Sequence, residues 1–354
     1  MSIHGSSAPP AGFAVSASDA PPGYPASVTR QRIPEDVLTA AHDRARARAA
    51  HDWPEADRLR DVIEAAGWKV VDHGTDFALS PAAPPDVADD ARIRYGASRN
   101  VPSRLDETPV GLATILLLAT DWPGDLARAL AGIRRWSPPG TSVVIVADGP
   151  SDEQARDLDV LEAAPADDLP LEVVWTSDRL GHGAALNVGL RRASGPIVIL
   201  LDTSVEPTGD VVTPLVRALD DPSAAVAGGW GIVSADLRHF EDAPAGEVDA
   251  IEGYCQAFRR ADYAERGPFD ERFRFYRNLD IWWSLVLRDE GPEQPPRRAV
   301  SLAGLALVRH EHRGYADLPA DERDRLSKRN FYRIIDRFGA RRDLVVAGQG
   351  EALS

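Results

Sequence analysis

Four strand-length runs in which apolar residues predominate constrain this chain more than any other feature: residues 112–119, 142–147, 171–175 and 197–201. A strand that is apolar on both faces must be covered on both. Such strands joined by helical segments build a parallel sheet with helices on either side. The connecting helices are legible too. One spans 123–136, opened by Pro123 and closed before Pro138-Pro139; others are expected at 153–164 and 183–193. Past Pro207 the order loosens. A helix, a mixed strand at 247–258, a helix after Asp280, a strand near 300–308 and a basic helix at 321–338 are expected there.

The remaining chain divides by composition. Residues 1–30 are rich in Ser, Ala, Pro and Gly without periodicity, and are expected to be a disordered tail. Residues 31–76 read as a helical hairpin. Val37, Leu38 and Ala41 lie along its first helix, Ala56, Leu59, Val62 and Ile63 along its second, and Gly67 stops it. Residues 77–108, with Pro81, Pro84, Pro85 and Pro102, read as a linker; 109–345 as the α/β domain; 346–354 as a tail. The 354 residues carry a net charge of −15, which argues against sequence-independent binding to nucleic-acid phosphates. A single cysteine, Cys255, excludes an intramolecular disulfide framework and reads as a small buried hydrophobe in mid-strand. No apolar stretch approaches the roughly 20 residues that span a bilayer. The N-terminus lacks a basic, then apolar, secretory pattern, so a cytoplasmic protein is expected.

Open parallel sheets bind ligands beyond the carboxyl ends of their strands. There the sequence places Thr120-Asp121-Trp122, Asp148-Gly149-Pro150, Ser177-Asp178-Arg179 and Asp202-Thr203-Ser204. One acidic residue after a strand is ordinary turn chemistry. Four on one rim point to a ligand site.

In this order and spacing, these segments resemble the nucleotide-binding half of a family 2, A-type glycosyltransferase. Ala119-Thr120-Asp121 resembles the family's nucleobase loop, and Asp148-Gly149 its base-binding Asp-Gly pair. The run from Arg179 through Gly181, His182 and Asn187 to Leu190 resembles its glycine-rich helix start. Asp202-Thr203-Ser204 resembles its Asp-x-Asp metal motif. The likeness continues through Glu252-Gly253-Tyr254 on the acceptor side, Gly267-Pro268-Phe269-Asp270-Glu271-Arg272-Phe273, and the closing His310-Glu311-His312. It thus covers about residues 109–338.

The resemblance implies an A-type α/β fold and inverting sugar transfer from a nucleoside-diphosphate sugar to an unknown hydroxyl. Donor contacts would come from Ala119, Thr120, Asp121, Asp148, Arg179, Gly181, Asn187 and Asp202, and acceptor contacts from Glu252 and Tyr254. Mn²⁺ or Mg²⁺ would be held by Asp202 with His310 or His312, although Ser204 replaces the motif's second carboxylate. Two registers compete for the catalytic base. Counting from Phe275-Tyr276 gives Asn278, which accepts no proton; counting back along the helix from Gly291 gives Asp280, with Leu279 at the family's Glu. The fixed geometry of a helix favours Asp280, against the bland account of a first-turn helix charge. His182 reads as a phosphate-side contact or a bystander.

The segment from Ala45 to Asp61, with Gly67-Trp68, resembles the C-terminal helical hairpin of cysteinyl-tRNA synthetases. No synthetase catalytic motif accompanies it, and a docking hairpin is favoured over RNA contact. The cationic residues of 321–338 are interleaved with Asp321, Glu322, Asp324 and Asp336, as on a solvated helix face. Two alternatives stay open: a sugar-nucleotide-binding protein without turnover, permitted by Ser204 and Leu279, and an RNA-associated protein, which the net charge disfavours.

Overall fold

The computed structural model describes residues 33–73, 76–89, 92–164, 168–316 and 318–346. The tail expected at 1–30, and all but the first residue of that expected at 346–354, lie outside them. The chain forms two compact units, Met1–Ser80 and Pro81–Ser354.

In the first unit α1 (Glu35–Ala49) and α2 (Trp53–Ala65) precede the paired strands β1 (Trp68–His73) and β2 (Asp76–Pro81). Asp52 caps α2, its carboxylate accepting from Glu55 N at 3.2 Å. Val37, Ala41, Leu59, Ile63 and Trp68 make the core. Leu38 on the first helix, and Val62, expected to share a face with Ile63 on the second, are exposed. Each is turned about 100° from a buried neighbour, Val37 or Ile63, and so small a core takes only one residue of each pair. Arg44 lies on the buried stripe of α1, paired through both Nη atoms with Asp72 at 2.7 and 3.1 Å.

The second unit opens with β3 (Val87–Ala88) and β4 (Ile93–Tyr95), then alternates strand with helix: β5 (Ala113–Ala119), α3 (Pro123–Trp136), β6 (Thr141–Ala147), α4 (Asp152–Ala163), β7 (Leu171–Thr176), α5 (His182–Arg192) and β8 (Ile197–Leu201). These boundaries follow the expected ones within a residue. Next come β9 (Val205–Pro207), α6 (Val212–Ala218), β10 (Ala224–Gly228), β11 (Gly231–Val233), β12 (Glu241–Ala243), β13 (Gly246–Val248), β14 (Ala250–Ile251) and β15 (Cys255–Arg259). The chain continues with α7 (Arg260–Arg266), α8 (Leu279–Arg288), β16 (Arg298–Ser301), β17 (Leu307–Arg309), α9 (Arg313–Ala316) and α10 (Ala320–Phe338).

Ten strands share one sheet, in the order β13-β16-β10-β15-β8-β5-β6-β7-β4-β3. From β8 through β4 the pairing is parallel, and β15 adds antiparallel to β8. The apolar runs fill this centre: Ile115, Leu117 and Ile145 pack into one core layer, Leu116 and Val198 into the layer on the other face. Because β6 lies on one side of β5 and β8 on the other, the chain reverses its direction of winding at β5. That reversal opens a crevice at the carboxyl ends.

Part of the stretch expected to be a linker joins this sheet, as β3 and β4 at its edge. Asp86 accepts from Gly96 N and Asn100 Nδ2, and Ser177 donates to Pro85 O, so side chains fasten a proline-rich segment that only an edge admits. The strand expected at 247–258 divides into β13, β14 and β15, and that near 300–308 into β16 and β17. Cys255 is buried as expected, and burial pushes its thiol up to about 12.

Candidate active site

A cavity of about 1060 Å³ lies at the carboxyl edge of the sheet, lined from the segments that follow β5, β6 and β8 and from α8 and α10. Of the four rim aspartates, Asp121, Asp148 and Asp202 line it.

Asp148 is buried directly after β6. Its Oδ1 accepts from Leu180 N at 2.8 Å and Thr176 Oγ1 at 3.2 Å, and its Oδ2 from Gly181 N at 3.2 Å. A carboxylate offers about four acceptor sites, so one on Oδ2 is left for a ligand. Burial pushes Asp148 above the ordinary carboxylate range, against these hydrogen bonds and the Arg179 charge. Gly149 holds φ +54°, and a Cβ there would meet Arg179 N at 2.7 Å, so glycine lets the Arg179 loop close over the rim. Arg179 Nη2 in turn donates to both Asp121 oxygens, at 3.0 and 2.9 Å, and to Gly149 O at 3.0 Å.

After β8, Asp202 Oδ1 accepts from Ser204 N at 2.8 Å and Ser204 Oγ at 2.5 Å, while Oδ2 lies 3.3 Å from His312 Nε2. Burial drives Asp202 up, but the hydrogen bond and charge of His312, with the bonds from Ser204, outweigh it and leave the carboxyl below its usual range. The reciprocal holds for His312: burial lowers it, and its bond to Asp202 more than offsets this, leaving it above the ordinary imidazole value. The His312 ring stacks on Tyr276 at 4.5 Å. His182, at the start of α5, is pulled down to about 4 by burial, so at neutral pH it presents an uncharged imidazole to the cavity.

On the opposite side, Asp280 stands in the first turn of α8. Its Oδ2 accepts from Gly253 N at 2.8 Å and its Oδ1 from Ile281 N at 2.9 Å. Burial raises its pKa against these bonds and the Arg277 charge. Glu252 is raised by burial and by the neighbouring charges of Asp280 and Asp242, although Arg309 lies 3.4 Å away. The Arg309 guanidinium sits 3.8 Å over the Tyr254 ring. Asn278, the competing residue, has a left-handed backbone and donates through Nδ2 to Ser327 O at 3.0 Å. Its amide is thereby committed to α10.

Four expected contacts are not brought to the cavity lining. Asn187 is buried behind it, with Nδ2 on Phe269 O and Glu271 Oε1 and Oδ1 accepting from Phe269 N and Tyr263 OH; it ties α5 to the 269–271 turn. Ala119 is a buried strand end and Gly181 a backbone donor to Asp148. His310 is captured by Glu206 on β9 at 2.9 Å, so of the two histidines only His312 reaches Asp202. Among the described residues, no three His, Cys, Asp or Glu side chains converge as a metal site.

The cavity also holds residues not assigned to the site from the sequence, among them Arg238, Gln256, Arg274 and Arg277. Trp122 and Lys328 line it too. In the sequence Trp122 belongs to a strand-end segment, and Lys328 to a cationic cluster that invites a phosphate reading but reads as a solvated helix face, whereas Arg277 carries no signal of its own.

The family described as Glycosyl transferase family 2 matches residues 121–278. Among solved structures, GalNAc-T7 with UDP, GalNAc and Mn²⁺ is 14% identical, with a TM-score of 0.53 over 65% of this chain and 48% of that one. The mannosyltransferase PcManGT from Pyrobaculum calidifontis, in complex with GDP-Man and Mn²⁺, is 20% identical, with a TM-score of 0.44 over 61% of each chain. S. aureus TarS is 15% identical, with a TM-score of 0.44 over 63% of this chain and 43% of that one. A stretch of 40 residues is 50% identical to cysteine–tRNA ligase 1 of Burkholderia lata, covering 11% of this chain and 8% of that protein. This chain therefore spans less than two thirds of each of these relatives. Among the described residues no helix is long and apolar enough to cross a membrane.

Proposed function

From the premise that residues 121–278 are a family 2 glycosyltransferase domain of the A-type fold, we propose that the chain moves a sugar, with inversion, from a nucleoside-diphosphate sugar to a hydroxyl acceptor. The observation that carries this reading is the convergence of Asp121, Asp148, Asp202, His312 and Asp280 on one cavity large enough for such a donor. The free acceptor site on Asp148 Oδ2 and the Thr120-Asp121 segment would hold the base. Asp280 takes the proton from the acceptor hydroxyl. The acceptor oxygen then bonds to the anomeric carbon from the face opposite the leaving group, and the anomeric C–O bond to phosphate breaks. The nucleoside diphosphate leaves with that electron pair.

Asp202 Oδ2 and His312 Nε2 fit a divalent cation as a two-side-chain seat that the donor diphosphate would complete, a donor set of the kind that suits Mn²⁺. Such an ion would neutralise charge on the departing diphosphate. Mn²⁺ accompanies UDP in GalNAc-T7, which supports a divalent cation in general. The test is calorimetric titration of UDP and GDP with and without Mn²⁺, followed by donor consumption with and without added hydroxyl compounds. A chain that binds neither diphosphate would sink the proposal.

A second reading, nucleotide binding without turnover, is favoured by one observation. Ser204 is buried and spends its hydroxyl on Asp202, so one carboxylate oxygen is unavailable to a cation. Nucleotide binding with no donor consumption across the acceptor panel would support it.

A further inference from the structure

Between the base seat at Asp148 and the cation seat at Asp202 and His312 stands the amino end of α5. Asp148 Oδ2 accepts from Gly181 N at 3.2 Å. The next residue, His182, lines the cavity where the charges of Asp202 and His312 both act on its ring. A diphosphate that joins a base at Asp148 to a cation at Asp202 and His312 therefore lies along Gly181 and His182. Helix amino ends ordinarily receive phosphate through free N–H groups. This one has spent its first donors: Gly181 N on Asp148, His182 N on Arg274 O at 3.1 Å, and Gly183 N on Phe273 O at 2.9 Å.

The segment that takes the last two of those donors brings a cation of its own. Gly181 holds φ +97°, and a Cβ there would stand 3.0 Å from Arg274 Cα and 3.1 Å from its Cβ, so Arg274 packs on bare backbone. The Arg274 side chain lines the cavity, and its guanidinium makes a long hydrogen bond from Nη2 to Arg179 O at 3.4 Å. No carboxylate forms an ion pair with it among the described residues. The acids of its own turn are engaged elsewhere, Asp270 by Arg272 and Glu271 by Ser98 and Asn187. Arg179 and Arg313 also line the cavity, but they face carboxylates: Arg179 is bonded to Asp121, and Arg313 lies 3.6 Å from Asp125.

We propose that Arg274 holds the donor's diphosphate, its guanidinium donating to phosphate oxygens between the Asp148 and Asp202 seats. This deepens the glycosyltransferase reading and rests on it. A planar guanidinium presents paired N–H donors that match the spacing of phosphate oxygens. As the anomeric C–O bond breaks, its electron pair passes to the diphosphate, and Arg274 faces the negative charge that develops there. The cation seat has only two side chains, because Ser204 bonds to Asp202 where the resemblance places a second carboxylate. Arg274 supplies positive charge beside that seat without a metal.

The test uses the full chain and calorimetric titration of uridine against UDP, and of guanosine against GDP, in EDTA and again in Mn²⁺. For the base that binds, the metal-free chain should prefer the diphosphate to the nucleoside by about tenfold or more, the size of a charged hydrogen bond. Arg274→Ala should remove most of that preference and leave nucleoside affinity unchanged, and Arg274→Lys should restore part of it. Added salt should weaken diphosphate binding by the wild type more than by Arg274→Ala. Melting temperatures control for folding, since the 273–274 turn grips α5 through main-chain carbonyls that the substitution keeps. A preference unchanged in Arg274→Ala, or lost in Arg313→Ala instead, overturns the proposal while nucleotide binding stands. Equal affinity for nucleoside and diphosphate in EDTA, with a preference restored by Mn²⁺, overturns it too and leaves the donor site intact. Failure to bind either diphosphate in both buffers overturns the reading beneath it and this proposal together.

Discussion

At the residue scale, burial raises Asp148, Glu252 and Asp280, whereas at Asp202 burial is outweighed by His312 and Ser204, which hold it down. Asp280 takes two backbone N–H bonds yet is still raised, because burial outweighs them. A general base works ionised, so transfer should climb with pH through a midpoint above the ordinary 3.8 of an aspartate. The stability sign is opposite: a carboxyl raised on folding favours the native state at low pH, and that contribution is lost as pH rises through its folded pKa. Asp280→Asn should lower transfer by about 10²–10⁴-fold and abolish the acidic limb of the profile, with diphosphate affinity held within a small factor. Wild-type rates in that variant, measured by donor consumption, would move the base elsewhere, with Glu252 next. Asp148 differs, because it serves the fold as well as the ligand. Asp148→Ala leaves the N–H groups of Leu180 and Gly181 without their acceptor and should cost about 1–3 kcal/mol of stability, besides weakening nucleotide binding. Asp121→Ala, at a half-exposed ion pair, should change stability by no more than about 0.5 kcal/mol in the same denaturant titration.

At the scale of elements, the site depends on clamps between segments far apart in sequence. Asn187 joins α5 to the 269–271 turn through three hydrogen bonds and accepts a fourth from Tyr263 on α7, and Asn278 and Asn330 join the loop before α8 to α10. Asparagine suits this work because one amide donates and accepts at once. Asn187→Ala strands Phe269 N and O inside the protein, and should cost about 1–3 kcal/mol by chemical denaturation. Read from the sequence, Asn187 resembled a donor contact. That motif fixed its place at a helix start beneath the rim, but whether its amide faced a ligand or a neighbouring turn depended on residues some eighty positions away.

At the scale of the whole molecule, the chain resolves into two compact units dividing at Ser80 and Pro81, and β3 and β4 belong to the sheet of the second. We therefore expect a fragment beginning at Ala82 to fold and to bind nucleoside diphosphate with the affinity of the full chain. A fragment beginning at Pro109 lacks the two edge strands and the buried Val101, and should melt lower. Calorimetric melting and diphosphate titration of both fragments check this, and equal melting temperatures would show that 82–108 is only a tether.

The sequence by itself determined the parallel sheet, its helices and the acidic rim, because these depend on local patterns: predominantly apolar runs of strand length, Pro and Gly at element ends, and aspartates directly after strands. The helical pattern after residue 279 was legible as well, and it puts Asp280 in the first turn of α8. Only the tertiary structure decided which histidine faces Asp202. His310 and His312 are two residues apart in a non-helical segment, and the choice was made by Glu206 on another strand and Tyr276 on another loop. Tertiary structure likewise turned a proline-rich stretch into edge strands and brought α10 against the loop before α8. Each of those outcomes is a contact between distant residues, and no local periodicity encodes it.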